Sequence, residues 1–200
     1  PNLELFETNV DAQHVVTSWD IIAGDVKPAQ NVLIYDESGD HAGLQAAEIA
    51  AAAGSTVEIM TPDRTFAPGV MAMNLVPYMR SLQDKDLTLT VTRRLLAVAR
   101  DGNKLMATIG TDYSDYTDQK GYDQVVVNYG TLPLADLYFD LKPHSSNAGA
   151  VDQDALIAGT PQTIRLNANG TFQLFRIGDA VSARNTHAAI YDALRLMKDL

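Results

Sequence analysis

Cysteine is absent from the 200-residue chain. Without thiols, the chain cannot form disulfides, thiolate zinc sites, iron–sulfur clusters or Cys-x-x-Cys redox pairs of its own. Aromatic residues are also few, at 7%, so alanine, leucine and valine make up most of the 46% hydrophobic content. That composition is typical of helices packed on a sheet.

Positive charge and long apolar runs are scarce as well. The 15 Lys and Arg residues against 25 Asp and Glu give a net charge of −10, which disfavours nucleic-acid and anionic-membrane partners because both attract clustered cations. No apolar run approaches the roughly 20 residues of a transmembrane helix. The start at Pro1 lacks a signal-peptide pattern. We interpret it as a cloning boundary or a processed end, favouring the former, and expect a cytoplasmic protein.

The strongest local pattern is a strand, a helix and a second strand. Residues 31–35 (NVLIY) form a short continuous apolar run, as expected of a buried parallel strand. Residues 41–53 follow with apolar side chains at helical spacing, Gly54 ends that helix, and residues 56–60 (TVEIM) form the next strand. The pattern predicts a βαβ unit of about 30 residues.

An antiparallel meander is predicted after the βαβ unit. A helix over 73–83 and a strand over 87–91 lead into two strands joined by the hairpin sequence Asp-Gly-Asn at 101–103. The polar stretch 111–121 extends the meander. A buried strand, QVVVN, follows at 124–128.

The last third of the chain has weaker signals. We expect a loop over 143–147, a short helix over 151–158 and a strand over 172–177 (FQLFRI). An amphipathic helix over 186–200 has one apolar face that includes Ile190 and Leu194.

Three strings in this order resemble a known enzyme group. They are VVTSWDIIAG at 15–24, NVLIYDESGDHAGLQAAEIAAAAG at 31–54 and FRIGDAVSARNTHAAIYDALRLMKDL at 175–200. They are similar to the C-terminal region of the trimethylamine/dimethylamine/histamine dehydrogenase group. That group lies within the old-yellow-enzyme-like NADH:flavin oxidoreductases, and some of its members demethylate N-methylated amino acids. The last string also resembles the C-terminal flavin motif of two-dinucleotide-fold flavoproteins.

The resemblance implies an α/β fold with a Rossmann-like, FAD/NAD(P)-binding type of parallel sheet, an antiparallel β-meander and a partial second nucleotide-binding-like domain. Residues 30–130 would be an inserted NAD-binding-like domain, and residues 1–29 and 131–200 the remnant of the FAD/ADP-binding-like domain that it interrupts. The group's N-terminal TIM barrel, with FMN and a 4Fe-4S cluster, is not among these residues. We therefore expect no cofactor, no catalytic residue and no complete active site in the isolated chain.

A dinucleotide loop of the form G-x-G-x-x-G should follow the first strand, because bare backbone must approach the pyrophosphate. Here the loop runs from Asp36 to Gly43, and it retains only Gly39 and Gly43. The carboxylates of Asp36, Glu37 and Asp40 surround the phosphate position. Two like charges about 4 Å apart repel by roughly 4 kcal/mol at an effective dielectric near 20, whereas an exposed helix N-terminus contributes about 0.3–1 kcal/mol. We therefore expect a degenerate NAD site, unless those side chains point away.

A second set of residues is implied by the resemblance to the flavin motif. Gly178, Asp179, Ala180 and Arg184 would bind ADP or FAD in the larger parent, with Asp179 meeting the cofactor's ribityl or phosphate region. The alternative for Asp179 is an N-capping carboxylate in an ordinary turn, and for Arg184 a surface side chain. No metal site is expected, because the four histidines are far apart and lack ligand spacing: His14, His41, His144 and His187.

Three functional hypotheses remain open. The first is a non-catalytic nucleotide-binding-fold module of an FMN/iron–sulfur amine dehydrogenase, in contact with the parent's TIM barrel. The second is a working NAD(P)H-binding domain, in which Asp63 would bind a ribose or Arg64 a 2′-phosphate. The third is a docking module for an electron-transferring flavoprotein. A homo-oligomer is possible in each case, and the amine substrate is not encoded in these residues.

Overall fold

The structure is a computed structural model that describes residues 7–8 and 15–197. The chain divides into two compact units, Pro1–Gly130 and Thr131–Leu200. Each unit has its own architecture and is described by itself.

A five-stranded parallel sheet forms the centre of the first unit, in the order β2-β9-β3-β4-β5. Its strands are β2 (Val15–Thr17), β3 (Asn31–Asp36), β4 (Thr56–Met60), β5 (Leu87–Thr90) and β9 (Gln124–Asn128). The predicted Rossmann-like fold class is confirmed. β3 and β9 are buried almost throughout, which explains why both are continuous apolar runs.

The described residues of the first unit include the helices α1 (Ser18–Ala23), α2 (His41–Ala52) and α3 (Ala72–Leu82). Thr17 caps α1 in a capping box with Asp20, and Gly24 ends it in the left-handed conformation. The alanine-rich face of α2 packs with apolar residues of β3 and β4 in one core cluster. Small side chains there allow close approach of helix and sheet.

The predicted meander is confirmed as a second sheet in the order β1-β6-β7-β8. Its strands are β1 (Glu7–Thr8), β6 (Arg94–Asp101), β7 (Lys104–Thr111) and β8 (Ser114–Tyr122). Apolar residues of β6 and β7 form a second core cluster with β3, β4 and β9. The five-stranded sheet therefore has one core on each face.

The segment before residue 30 contributes to this unit. β2 pairs in parallel with β9, and residues of α1 and α2 belong to the same core cluster. The domain boundaries proposed above, with 1–29 grouped with 131–200, stay a prediction.

The second unit contains α4 (Asp136–Leu141), α5 (Gln153–Ala158) and α6 (Thr186–Met197), with 3₁₀ turns at Lys142–His144 and Gly178–Ala180. The predicted strand over 172–177 is wrong, because that segment has no strand partner among the described residues. Its neighbour is instead an irregular polar segment. The Ser146 N–H donates to the Phe172 carbonyl at 2.7 Å, and the Asn147 side chain bonds both backbone groups of Leu174.

Candidate functional site

The loop that follows β3 is held by the carboxylate of Asp36. Its Oδ1 accepts hydrogen bonds from the backbone N–H of Ser38 at 3.2 Å and of Gly39 at 2.9 Å. It also accepts one from Nδ2 of Asn128 at 2.9 Å. Asp36 as a whole is 1% exposed, and this burial raises the pKa of its carboxyl to about 6, with the nearby Asp40 adding to the rise. The backbone donors of this loop therefore already have an anionic acceptor in the chain itself.

Asp40 holds the start of α2 in the same way. Its Oδ1 accepts from the Ala42 N–H at 2.9 Å and from Nδ2 of Asn128 at 3.0 Å, and its Oδ2 accepts from the Ser38 hydroxyl at 2.8 Å. The first turn of a helix is where an anionic ligand would otherwise be favoured. Here a side-chain carboxylate caps that turn.

Asn128, which was not among the predicted site residues, links the two carboxylates to the rest of the sheet. It is the last residue of β9 and lies opposite Asp36 in the parallel register. Its Oδ1 accepts from the buried Ser18 hydroxyl at 3.2 Å. The available signal was positional, because carboxyl ends of neighbouring parallel strands meet at one edge of the sheet.

Glu37 does not join the other two carboxylates, contrary to the expectation of three around the phosphate position. Its side chain points to Arg94, which donates at 2.7 Å, and to the Tyr35 hydroxyl at 3.1 Å. The second Arg94 partner is Asp112, at 2.7 Å. The predicted local repulsion is therefore confined to Asp36 and Asp40.

The two loop glycines are required for packing. Gly39 has φ +65°, and a Cβ there would lie 2.6 Å from Cδ of Pro68. The Gly69 N–H donates to the Gly39 carbonyl at 2.9 Å, so the segment after β4 lies directly on this loop. At Gly43, a Cβ would lie 2.5 Å from Oδ2 of Asp36. Gly43 thus permits the helix–strand contact expected of the third glycine in the motif.

Asp63 and Arg64 line an open cleft of about 420 Å³ beyond β4, together with Pro68 and Tyr113. Arg64 donates to the Tyr113 hydroxyl at 3.1 Å and lies 6.0 Å from the ring centroid. The cleft places both residues that the NAD(P)H hypothesis requires side by side. Neither is part of the Asp36–Asp40 network.

The second predicted set lies in the second unit, in the turn before α6. The Gly178 N–H donates to Oδ2 of Asp192 at 3.1 Å, and Arg184 forms an ion pair with the same oxygen. Arg184 and the Gly178 hydrogen bond hold the pKa of Asp192 below its usual range. Asp192 comes 14 residues after Gly178, and no local sequence pattern connects the two.

Asp179 and Ala180 are not brought into that cluster. Asp179 is exposed, and no side-chain partner for it occurs in the described part of the chain. The cap of α6 is Asn185, whose Oδ1 accepts from the Ala188 N–H at 2.9 Å. The structure therefore places Gly178 and Arg184 around one carboxylate and leaves Asp179 free for an external contact.

Residues 7–8 and 15–197 contain no group of three or more His, Asp or Glu side chains arranged to hold a metal ion. Among the described helices, none is long and apolar enough to cross a membrane.

The chain is similar in sequence to parts of longer proteins. No family model matches the chain. A probable N-methylproline demethylase of Rhizobium meliloti is 66% identical over 186 residues, which are 93% of this chain and 27% of that protein. An N,N-dimethylglycine/sarcosine dehydrogenase of Chromohalobacter salexigens is 43% identical, over 92% of this chain and 27% of that protein. The resemblance to the amine dehydrogenase group is confirmed. The chain spans about a quarter of the length of these relatives.

A solved structure supports the fold. Histamine dehydrogenase from Rhizobium sp. 4-9 superimposes with a TM-score of 0.65 at 21% identity, covering 92% of this chain and 26% of that one. The fold is therefore shared with one region of a longer dehydrogenase. The similarity between the chain and the two relatives named above is consistent with a fragment of such an enzyme.

Proposed function

We propose that the chain is a non-catalytic nucleotide-binding-fold module of an N-methyl amine dehydrogenase or demethylase, and that its dinucleotide loop no longer binds NAD(P)H. The enzyme class is supported by the names of the two relatives, which act on N-methylated amino acids. The loss of the ligand is supported by one observation. The carboxylate of Asp36 accepts hydrogen bonds from the N–H groups of Ser38 and Gly39, which a pyrophosphate would otherwise use.

Electrostatics favours this internal ligand over a pyrophosphate. A pyrophosphate would have to displace or lie beside Asp36 and Asp40, and like charges about 4 Å apart repel by roughly 4 kcal/mol at an effective dielectric near 20. Recovered hydrogen bonds would not offset this, since each N–H would exchange one anionic acceptor for another. The Gly69–Gly39 contact adds a steric obstacle.

The cofactors of the parent belong to the same proposal. FMN and a 4Fe-4S cluster are implied by the resemblance, but a chain without cysteine supplies no cluster ligand. An ADP or FAD phosphate at the second turn does not fit the residues as they stand, because Asp192 already binds both Gly178 and Arg184. A cytoplasmic location and contacts with a TIM barrel or an electron-transferring flavoprotein are further proposals that follow from the same resemblance.

Calorimetric titration with NADH and ADP tests the proposal. We expect the chain to bind neither tighter than about 1 mM, equivalent to about −4 kcal/mol. Replacing the two carboxylates by Asp36→Gly and Asp40→Ser removes the internal ligands and should produce measurable ADP affinity. The control is Asp84→Asn and Asp115→Asn, which removes the same charge from exposed positions of the first unit.

Two results would contradict the proposal. Micromolar NADH binding by the unaltered chain would show a working site and favour the NAD(P)H-binding alternative, in which Asp63 and Arg64 would have a role. ADP binding by the control variant equal to that of the loop variant would show that net charge, and not the Asp36–Asp40 network, excludes the nucleotide.

A further inference from the structure

The edge strand β5 lacks the features that usually protect the edge of a sheet. Natural edges carry charged residues, proline or a bulge, which prevent pairing with another chain. Residues 87–91 (LTLTV) contain no charged residue and no proline, and Leu89 and Val91 are 44% and 38% exposed. The edge strand β8, by contrast, carries two aspartates and one lysine. Of these two edges, β5 is therefore the one open to pairing.

The backbone of β5 has hydrogen-bonding groups that the sheet does not use. β5 pairs in parallel with β4 on one side, and the carbonyls of Asp86 and Thr90 accept hydrogen bonds from that side, each at 2.9 Å. Successive residues of a strand point their N–H and C=O groups in opposite directions. The N–H and C=O groups of Leu89 and Val91 and the carbonyl of Leu87 therefore point outward. In the described part of the chain, no backbone group pairs with them.

The side chains of this edge match a second copy of the same strand. Leu87, Leu89 and Val91 share one face, on which Leu87 packs against the core cluster of α2 and β4. A two-fold axis perpendicular to the sheet at Leu89 makes two β5 strands antiparallel, with Leu89 opposite itself and Leu87 opposite Val91. In that register the two Leu89 residues exchange hydrogen bonds, and the Val91 N–H donates to the Leu87 carbonyl. The apolar side chains of both copies then form one continuous row.

Charges at the two ends of β5 favour the same pairing. Asp86 is exposed just before the strand. Arg93 follows the strand, with its guanidinium 5.0 Å from the ring centroid of Tyr116, and no carboxylate forms an ion pair with it among the described residues. With Leu89 at the centre, Asp86 of one copy lies within about one residue of Arg93 of the other. Within one chain the two are roughly 23 Å apart at about 3.3 Å per residue, well beyond the screening length of about 8 Å.

We propose that β5 is a homodimer interface, at which two copies of this chain pair their β5 strands antiparallel around Leu89. The five-stranded sheets of the two copies then form one continuous sheet. The partner is a second copy because the edge is complementary to itself: the outward backbone groups, the apolar side chains and the end charges all match under the same two-fold axis. This inference goes beyond the proposed function and does not depend on it.

Sedimentation equilibrium of the 200-residue chain tests the pairing. We expect the average mass to rise from that of a monomer towards that of a dimer between about 10 µM and 1 mM, because a short edge pairing is a small interface. Leu89→Lys places two like charges directly opposite each other and should raise the dimer dissociation constant at least about 10-fold. The control is Leu96→Lys on β6, since Leu96 is 42% exposed against 44% for Leu89, and it should leave the dissociation constant unchanged.

Charge reversal tests the register of the two strands. Asp86→Lys or Arg93→Glu alone brings like charges together at both ends of the paired strands, and each should raise the dissociation constant about 3-fold or more. The double variant restores opposite charges between the copies and should return the constant to that of the unaltered chain. Since the two positions are too far apart to interact within one chain, this recovery can arise only between copies.

Amide hydrogen exchange locates the interface. The amides of Leu89 and Val91 should exchange severalfold more slowly as the chain concentration rises, while those of the β8 edge should not change. A chain that stays monomeric up to about 1 mM would overturn the proposal, as would a dimer that Leu89→Lys and Leu96→Lys weaken equally, or one whose protected amides lie on β8. If Leu89→Lys does not fold, the charge-reversal series decides, and failure of the double variant to recover dimerisation would overturn the register. NADH or ADP binding affects only the proposed function, since these measurements contain no nucleotide.

Discussion

Asp36→Asn should stabilise the first unit at neutral pH, although it weakens the hydrogen bonds to the loop. Burial raises the pKa of the Asp36 carboxyl from 3.8 to about 6. Its charged form is therefore disfavoured in the folded chain by about 3 kcal/mol, since a shift of one pKa unit corresponds to about 1.4 kcal/mol. The neutral amide of nearly equal size avoids that cost and keeps one oxygen as an acceptor for Ser38 and Gly39.

The sign of the pH dependence follows from linkage. Because the folded pKa lies above the unfolded one, the contribution of Asp36 to stability is fully present below about pH 4 and is lost as the pH rises through about 6. Asp36→Asn should therefore raise the free energy of unfolding most at pH 7–8, where the gain is at most about 3 kcal/mol. At pH 4 this gain should fall to zero or become a loss.

Urea unfolding followed by Trp19 fluorescence measures this difference, since Trp19 is the only tryptophan of the chain and lies in α1. Asp115→Asn, at an exposed position on β8, controls for loss of one negative charge. A variant that is less stable than the unaltered chain at pH 8, by the same amount as at pH 4, would refute the reasoning. The hydrogen bonds to ionised Asp36 would then outweigh its burial.

Two further substitutions test the packing around the same sheet. Tyr122→Phe removes the hydroxyl that donates to the buried Glu58 at 2.8 Å. It should cost about 1.5–3 kcal/mol in urea unfolding, while Tyr116→Phe, half-exposed on β8, should cost little. Burial raises the pKa of Glu58, but hydrogen bonds from Lys120, Thr90 and Tyr122 bring it below its usual range. The cost of Tyr122→Phe should therefore shrink as the pH falls through the folded pKa of Glu58, and a pH-independent cost would contradict this. Gly43→Ala should destabilise by about 1–3 kcal/mol, because its Cβ would lie 2.5 Å from Asp36. An uncrowded helix would gain about 1 kcal/mol from the same change, so a gain would exclude the clash. Gly121→Ala is the control, because its Cβ would lie 3.3 Å from the flexible Met106 sulfur and 3.9 Å from Cβ of Lys104, an ordinary contact distance.

Local sequence signals predicted the elements of the first unit closely. The apolar run before Asp36, the alanine-rich helix ended near Gly54 and the hairpin at Gly102 each depend on a few neighbouring residues. The segment 172–177 failed for the opposite reason. Its apolar and aromatic content is typical of a strand, but a strand exists only where another chain segment pairs with it, and none does among the described residues.

The sequence predicted only the part of the candidate site that lies in one continuous segment, residues 36–43. The spacing of Asp36, Gly39, Asp40 and Gly43 predicted a degenerate dinucleotide loop, with carboxylates where glycines are expected. Spacing could not show that Asp36 and Asp40 would turn inward as acceptors, since that depends on Asn128, 92 residues from Asp36. Spacing could not show the hydrogen bond from the Gly69 N–H to the Gly39 carbonyl either.

The loop after β3 and the turn before α6, the two regions predicted to bind nucleotides, share one feature that sequence spacing did not reveal. In the first unit Asp36 accepts from the backbone N–H groups of its own loop, and in the second Asp192 accepts from Gly178 and Arg184. Each turn keeps the backbone geometry that binds an anion, and each satisfies it with a carboxylate from the chain. In the function proposed above, the donors that a nucleotide would satisfy must still be paired, because an unpaired buried N–H costs about 1–3 kcal/mol. The hydrogen bonds that pair them would also exclude the nucleotide, even though burying the charged form of Asp36 costs stability at neutral pH.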